Sequence, residues 1–170
     1  MLPQNLEGGQ REVVSFDTTY AQVPASGTGY YRSGRAKNEY GNQTVIAELI
    51  AFAAQWHEDH PDNDIGIGEM SNNQGGSPRP HHSHKLGLRV DIRPMRNDSL
   101  HEGVSWNVKG TDRSNPDYNQ ALTIELINGL RALPHVKNIL FNDPTTREMG
   151  LTLYYKEHDN HLHVNFTSGW

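Results

Sequence analysis

The 170-residue chain contains no cysteine. That absence excludes disulfides, thiolate metal sites and a cysteine nucleophile, so any metal must be held by imidazole and carboxylate. Long apolar runs are missing too. The longest, Val45 to Trp56, is too short and too interrupted to span a bilayer. Charge of one sign is scarce: 15 Lys and Arg against 20 Asp and Glu leave a net −5 without a run of like charges. Nothing therefore favours nucleic acid or insertion into a membrane. The opening Met1-Leu2-Pro3-Gln4-Asn5 lacks a basic segment followed by an apolar one, so the chain as given carries no signal peptide. No His-Glu-x-x-His helix and no Gly-x-Ser-x-Gly elbow occur, which argues against a thermolysin-like protease and a serine hydrolase.

What remains is patterned enough for a single domain over residues 1–170. Residues 1–41 are rich in Gly, Ser, Asn and Tyr and read as an irregular N-terminal arm packed on that domain, with Val13-Val14-Ser15-Phe16 as its one periodic stretch. A helix is expected over Gln43 to Asp59, capped by Asn42, with Val45, Leu49, Phe52 and Trp56 at helical spacing and Pro61 closing it. His57 and His60 at its polar end read as solvated. Ile65 to Met70 reads as a short strand, followed by the turn-rich loop 71–80. Leu88 to Arg93 alternates as a strand does, and Gly87 before it suits a tight backbone approach. Met95 to Ser114 reads as a long polar loop forming one wall of a cleft. Asn115-Pro116-Asp117 predicts the start of a second helix running through Leu122, Leu126, Ile127 and Leu130 to Pro134. Strands are expected at 136–141, 151–155 and 161–166. Helices and strands do not alternate regularly, so the expected class is α+β, a small, mainly antiparallel sheet flanked by helices and long loops.

Histidine is where this chain is rich. The windows 81–84 and 158–163 hold six of its ten histidines, where an even scatter would put fewer than one. In Leu162, Val164 and Phe166 the last segment has an apolar strand face, which leaves His161, His163 and Asn165 on the other. A neutral imidazole suits zinc, and catalytic zinc takes three protein ligands and leaves a position open. His84 at a loop end, Asp91 on the polar face of its strand and His163 on the last strand make a His2Asp set for one Zn2+ per chain. Such an ion carries about one net positive charge, polarises a carbonyl and lowers the pKa of bound water from about 15.7 toward about 7. Peptide hydrolysis also needs a base for the water and a donor for the leaving amine. His161, two residues from His163, is placed for the water, and His158 and His81 are further candidates for transition-state stabilisation or proton delivery. His82 reads as exposed. Arg89 and Arg93 share Asp91's strand face and read as solvated strand charges, with contact to substrate carboxylates as the alternative.

The pattern His81-x-x-His84-x-x-Gly87-x-x-x-Asp91, followed far downstream by His158-x-x-His161-x-His163, resembles the penicillin-insensitive murein endopeptidases. Pro24 to Tyr30, Arg35 and Tyr40-Gly41 look like that family's entry segment. Gly66-x-Gly68-x-Met70-Ser71 and Gly75-Gly76 look like its lead-in to the first ligand. The resemblance implies a zinc peptidase core of the lysostaphin, D-Ala-D-Ala peptidase and hedgehog type. It implies hydrolysis of cross-links between peptidoglycan stem peptides, of the D-alanyl to meso-diaminopimelate type, through a metal-activated water. By motif position His84, Asp91 and His163 carry over as ligands, His161 as the catalytic histidine, and His158 and His81 as active-site histidines. The alternatives are a D-Ala-D-Ala carboxypeptidase or dipeptidase of the same fold and a non-catalytic, zinc-stabilised module that binds cell wall. Those carboxypeptidases use a glutamate base in a Glu-x-x-His arrangement, where this chain has His158 and His161. The expected place of action is the periplasm or cell wall. The mature form of an exported enzyme, a phage lysin and a secreted toxin with an immunity protein all fit the chain as given.

Overall fold

The computed structural model describes residues 20–71 and 87–167. Its first strands are β1 (Tyr20–Gln22), β2 (Ser26–Gly27), β3 (Tyr30–Arg32) and β4 (Tyr40–Asn42). β1 and β4 form a two-stranded antiparallel ribbon, and β2 and β3 begin the main sheet. Ten of the 22 described residues of the expected irregular arm, 20–41, lie in these short strands. Its strands are only two or three residues long, below the length at which alternation can be read. Tertiary anchors set them instead. Val23 and Tyr30 are core residues, and the buried Glu39 carboxylate lies 3.1 Å from Arg32 Nε and accepts from the Gly34 N–H at 3.0 Å.

Helix α1 spans Gln43–Asp59, and the Asn42 side chain accepts from the Thr44 N–H at 2.9 Å. Val45, Ile46, Leu49, Ala53 and Trp56 make its buried stripe. His60, expected to be solvated, instead packs against Trp56 with tilted rings, centroids 4.0 Å apart, and lies 3.1 Å from Glu125. His57 lies 3.8 Å from Asp64. Strand β5 (Ile65–Ile67) is followed, after the undescribed stretch, by β6 (Arg89–Ile92).

Helix α2 spans Gln120–Arg131 and is capped by Asn119, four residues beyond the expected Asn115 cap. Asn115 closes a local turn on the Asp117 N–H instead, and Tyr118 is drawn into the core, where its hydroxyl donates to Asp143 at 2.7 Å. The chain can turn helical only after that side chain is placed. Strand β7 (Val136–Leu140) follows. An Asp-Pro pair then starts a helix that the sequence reading missed, α3 (Pro144–Glu148), capped by Asp143. The strand expected at 151–155 does not form. Leu153 makes a single parallel bridge with Leu140, and the Leu153, Tyr154 and Tyr155 side chains stand more than half exposed. The last strand is β8 (Leu162–Phe166).

The class is α+β, with a mixed six-stranded sheet in the order β2-β3-β5-β6-β8-β7. All of its pairs are antiparallel except β3 with β5. Val90, Ile92, Ile139, Leu162 and Val164 from the sheet join the buried faces of α1 and α2 in one apolar cluster. Burial of each such side chain stabilises the fold by about 1.5–3 kcal/mol. No helix among the described residues is long and apolar enough to cross a membrane.

Candidate metal centre and cleft

The site begins with the pairing of β6 and β8. Their antiparallel register sets Asp91 opposite His163, flanked by the pairs Val90–Val164 and Ile92–Leu162. Successive side chains on a strand point to opposite faces, so committing those four apolar residues to the core turns Asp91 and His163 together to the other face. Their polar atoms meet there, with His163 Nδ1 3.0 Å from Asp91 Oδ1. His163 is buried and Asp91 nearly so, with side chains 7% and 13% exposed.

His161 stands one residue before β8, with Nε2 3.9 Å from the same carboxylate oxygen. Its Nδ1 faces Asn160 Oδ1 at 2.8 Å. That contact orients the ring with Nε2 on the Asp91 side. His158 is oriented in the same manner, its Nδ1 donating to the Lys156 carbonyl at 2.8 Å. Its ring centroid lies 4.5 Å from that of His161 and 5.3 Å from that of His163. Burial holds the His158 pKa below its usual value, and the neighbouring His163 adds to the effect. His158 is therefore neutral near pH 7. One nitrogen from each of His158, His161 and His163 falls within 4.8 Å of the others.

The segment carrying these histidines is tied down by residues the sequence reading did not single out. Asp159 Oδ1 accepts from the Trp106 indole at 3.1 Å and from the Asn142 amide at 2.9 Å. Its carbonyl takes the Trp106 N–H at 2.9 Å, and the His158 carbonyl takes the Asn142 N–H at 2.9 Å. The available signal was Trp106 itself, a lone large aromatic inside a polar loop, which becomes 9% exposed. That loop does form one wall of a cleft of about 730 Å3 through Gly103, Val104 and Ser105. Asp91 and His161 line the cleft, as do Arg35, Glu69 and Arg93.

His81 and His84 lie outside the described residues, as do His82 and the loop 72–80. The chain re-enters the described part at Gly87, whose φ of +62° and close approach exclude a side chain. A Cβ there would stand 2.6 Å from the Asn42 backbone nitrogen. The Gly87 carbonyl accepts from that same N–H at 3.0 Å, so the lead into β6 is pinned to the start of α1.

The donor set suits a divalent cation. Two ligand atoms on one tetrahedral zinc stand about 3.3 Å apart, close to the 3.0 Å between His163 Nδ1 and Asp91 Oδ1. The donors are nitrogen and carboxylate oxygen, and donation from Nδ1 of His158 to a carbonyl leaves its Nε2 as the acceptor nitrogen.

No curated protein matches the chain. A family model, penicillin-insensitive murein endopeptidase, matches residues 18–116. The matched stretch holds Asp91, His81 and His84 but stops short of 158–163; the β6–β8 register is what brings His163 to Asp91. The match makes the protein a peptidase with peptidoglycan as its substrate class. With more than half of its residues matched, the chain belongs to the penicillin-insensitive murein endopeptidase family.

Proposed function

We propose that this is a zinc-dependent endopeptidase that cleaves stem-peptide cross-links, of the D-alanyl–meso-diaminopimelate type, within a single domain of the lysostaphin, D-Ala-D-Ala peptidase and hedgehog type. The reading rests on the side-by-side placement of Asp91 and His163, with two further imidazoles beside them and Asp91 lining an open cleft. Asp91, His163 and His84 would hold one Zn2+. When bound, zinc supplies a Lewis acid that polarises the scissile carbonyl and acidifies a water. His161, whose Nε2 lies 3.9 Å from the Asp91 carboxylate, takes the proton from the attacking water. His158, neutral and partly buried, stabilises charge on the substrate side or returns a proton to the leaving amine. His81 serves on the same side. The protein acts at the cell wall, and an immunity protein accompanies it if it is a secreted toxin.

The test is digestion of purified sacculi, with released muropeptides identified by mass spectrometry and zinc counted per chain. One zinc per chain and chelator-sensitive release of monomers from cross-linked dimers are expected. Undiminished release from metal-free protein would end this reading.

A second ligand set is favoured by one observation, the 4.8 Å grouping of His158, His161 and His163. If those three hold the ion, Asp91→Ala keeps its zinc and His158→Ala loses it. The first reading requires the reverse. A carboxylate offsets part of the dication's charge in a partly buried site, which three neutral imidazoles do not, and that favours the set containing Asp91.

A further inference from the structure

Arg35 and Arg93 line the cleft, and with Arg32 and Arg96 they differ in how they are satisfied. Arg32 lies 3.1 Å from the Glu39 carboxylate, Arg35 lies 2.8 Å from Glu69, and Arg96 is paired with Asp98. Arg93 has no carboxylate partner among the described residues. Its guanidinium donates to two backbone carbonyls, those of Ser33 at 3.3 Å and His101 at 3.4 Å, and lies against the Tyr31 hydroxyl. The side chain is half-buried and lines the cleft that Asp91 also lines. Tyr31 is itself held by stacking on His101, with ring centroids 3.9 Å apart.

A guanidinium has five N–H donors in a rigid fork and cannot give up its charge. Two carbonyls and one hydroxyl aim the fork without neutralising it, and donors remain for a ligand. A partly desolvated cation held in this way is matched by a carboxylate, which can take two parallel hydrogen bonds. Arg93, one residue past the end of β6, is also two residues on from Asp91 in extended chain, which sets the two side chains about 7 Å apart at their bases. That spacing suits a carboxylate on the carbon bonded to the scissile nitrogen while the scissile carbonyl lies at Asp91. A meso-diaminopimelate cross-link carries its free carboxylate on that carbon.

Building on the murein endopeptidase reading, we propose that Arg93 is a specificity-determining residue that anchors the free carboxylate on the leaving-amine side of the scissile bond. The enzyme then selects amides whose leaving amine bears an α-carboxylate, and amidation of that carboxylate protects the cross-link. The solvated-charge reading of Arg93 is thereby replaced, whereas Arg89 is not among the residues lining the cleft.

The test uses the full chain as purified, with two measurements. The first is kcat/KM on a cross-linked dimer with its diaminopimelate carboxylate free and on the same dimer amidated at that carboxylate. The second is calorimetric affinity for the product tripeptide L-Ala-D-Glu-diaminopimelate in the two corresponding forms, which needs no turnover. The wild type should prefer the free form by about 10–100-fold in both measurements. Arg93→Gln should bring the two forms within about twofold, mainly through KM, and Arg93→Lys should restore part of the preference. Equal treatment of both forms by the wild type would overturn the proposal, without requiring any variant to fold. So would an Arg93→Gln variant, native by thermal melting, that keeps the preference. Loss of cleavage of both dimers with the tripeptide preference intact would instead strike the endopeptidase reading and leave the carboxylate anchor standing.

Discussion

Two parts of the site are built in different ways. Asp91 and His163 stand on paired strands in the middle of the sheet, each flanked by fully buried apolar neighbours. His158 and His161 stand on the turn leading into β8, which contains a residue with positive φ, Glu157 at +66°, and follows the exposed Tyr154 and Tyr155. The strand pair has its geometry dictated by the core, because any shift of register would move hydrophobic residues to the wrong face. The turn is held by polar ties to Trp106 and Asn142. A metal needs ligands fixed to a few tenths of an ångström, whereas groups that pass protons must approach and leave substrate. In the proposed assignment Asp91 and His163 as ligands take the strand pair and His158 and His161 the turn, a division that matches that difference in demand.

The comparison can be broken most severely at the strand pair. Asp91→Ala should reduce zinc to well below one per chain and bring murein cleavage to background, read by metal analysis and muropeptide release. At the turn, His161→Ala should keep its zinc while losing about 10²–10⁴-fold in kcat. If it loses the metal as well, the turn is part of the ligand set. Asp159→Ala removes the tie between turn and wall, leaving the Trp106 and Asn142 donors without their acceptor. It should cost about 1–3 kcal/mol in urea unfolding and lower kcat by about 10–100-fold with zinc retained. Away from both parts, Tyr118→Phe should cost about 1 kcal/mol by removing the buried hydrogen bond to Asp143, with kcat unchanged.

The smallest expected effect is a pH dependence from Glu39, whose carboxyl burial holds above its ordinary 4.5, against the pull of the Gly34 N–H and Arg32. The folded chain keeps that proton where the unfolded chain has lost it. The associated stability is therefore present below pH 4.5 and is lost as pH rises through the folded value. Glu39→Gln should flatten the fall in unfolding free energy across that window, measured by urea titration at a series of pH values.

Much of this was readable before the fold. Asn42 capping a helix with a 3.6-residue apolar stripe was legible because both signals are local. The alternation in 88–93 and 161–166 was legible for the same reason, and it already placed Asp91 and His163 on the polar faces of their strands. Asn115-Pro116-Asp117 and Asp143-Pro144 carry similar local signals, yet only the second starts a helix, because burial of Tyr118 overrides the first. The tie from Trp106 to Asp159 spans 53 residues and leaves no local mark at either end.

The sequence by itself determined the donor chemistry, since a chain without cysteine and with clustered histidines can offer only imidazole and carboxylate. It also determined which strand faces those donors occupy, through the period of two along a strand. Tertiary structure decided that β6 pairs with β8 in the register that brings Asp91 to His163, across 72 residues. It also decided that Arg93, one charge among several in the sequence, is turned into the cleft without a carboxylate partner among the described residues. Pairing and charge neutralisation depend on segments distant in the chain, and no pattern within either segment encodes its partner.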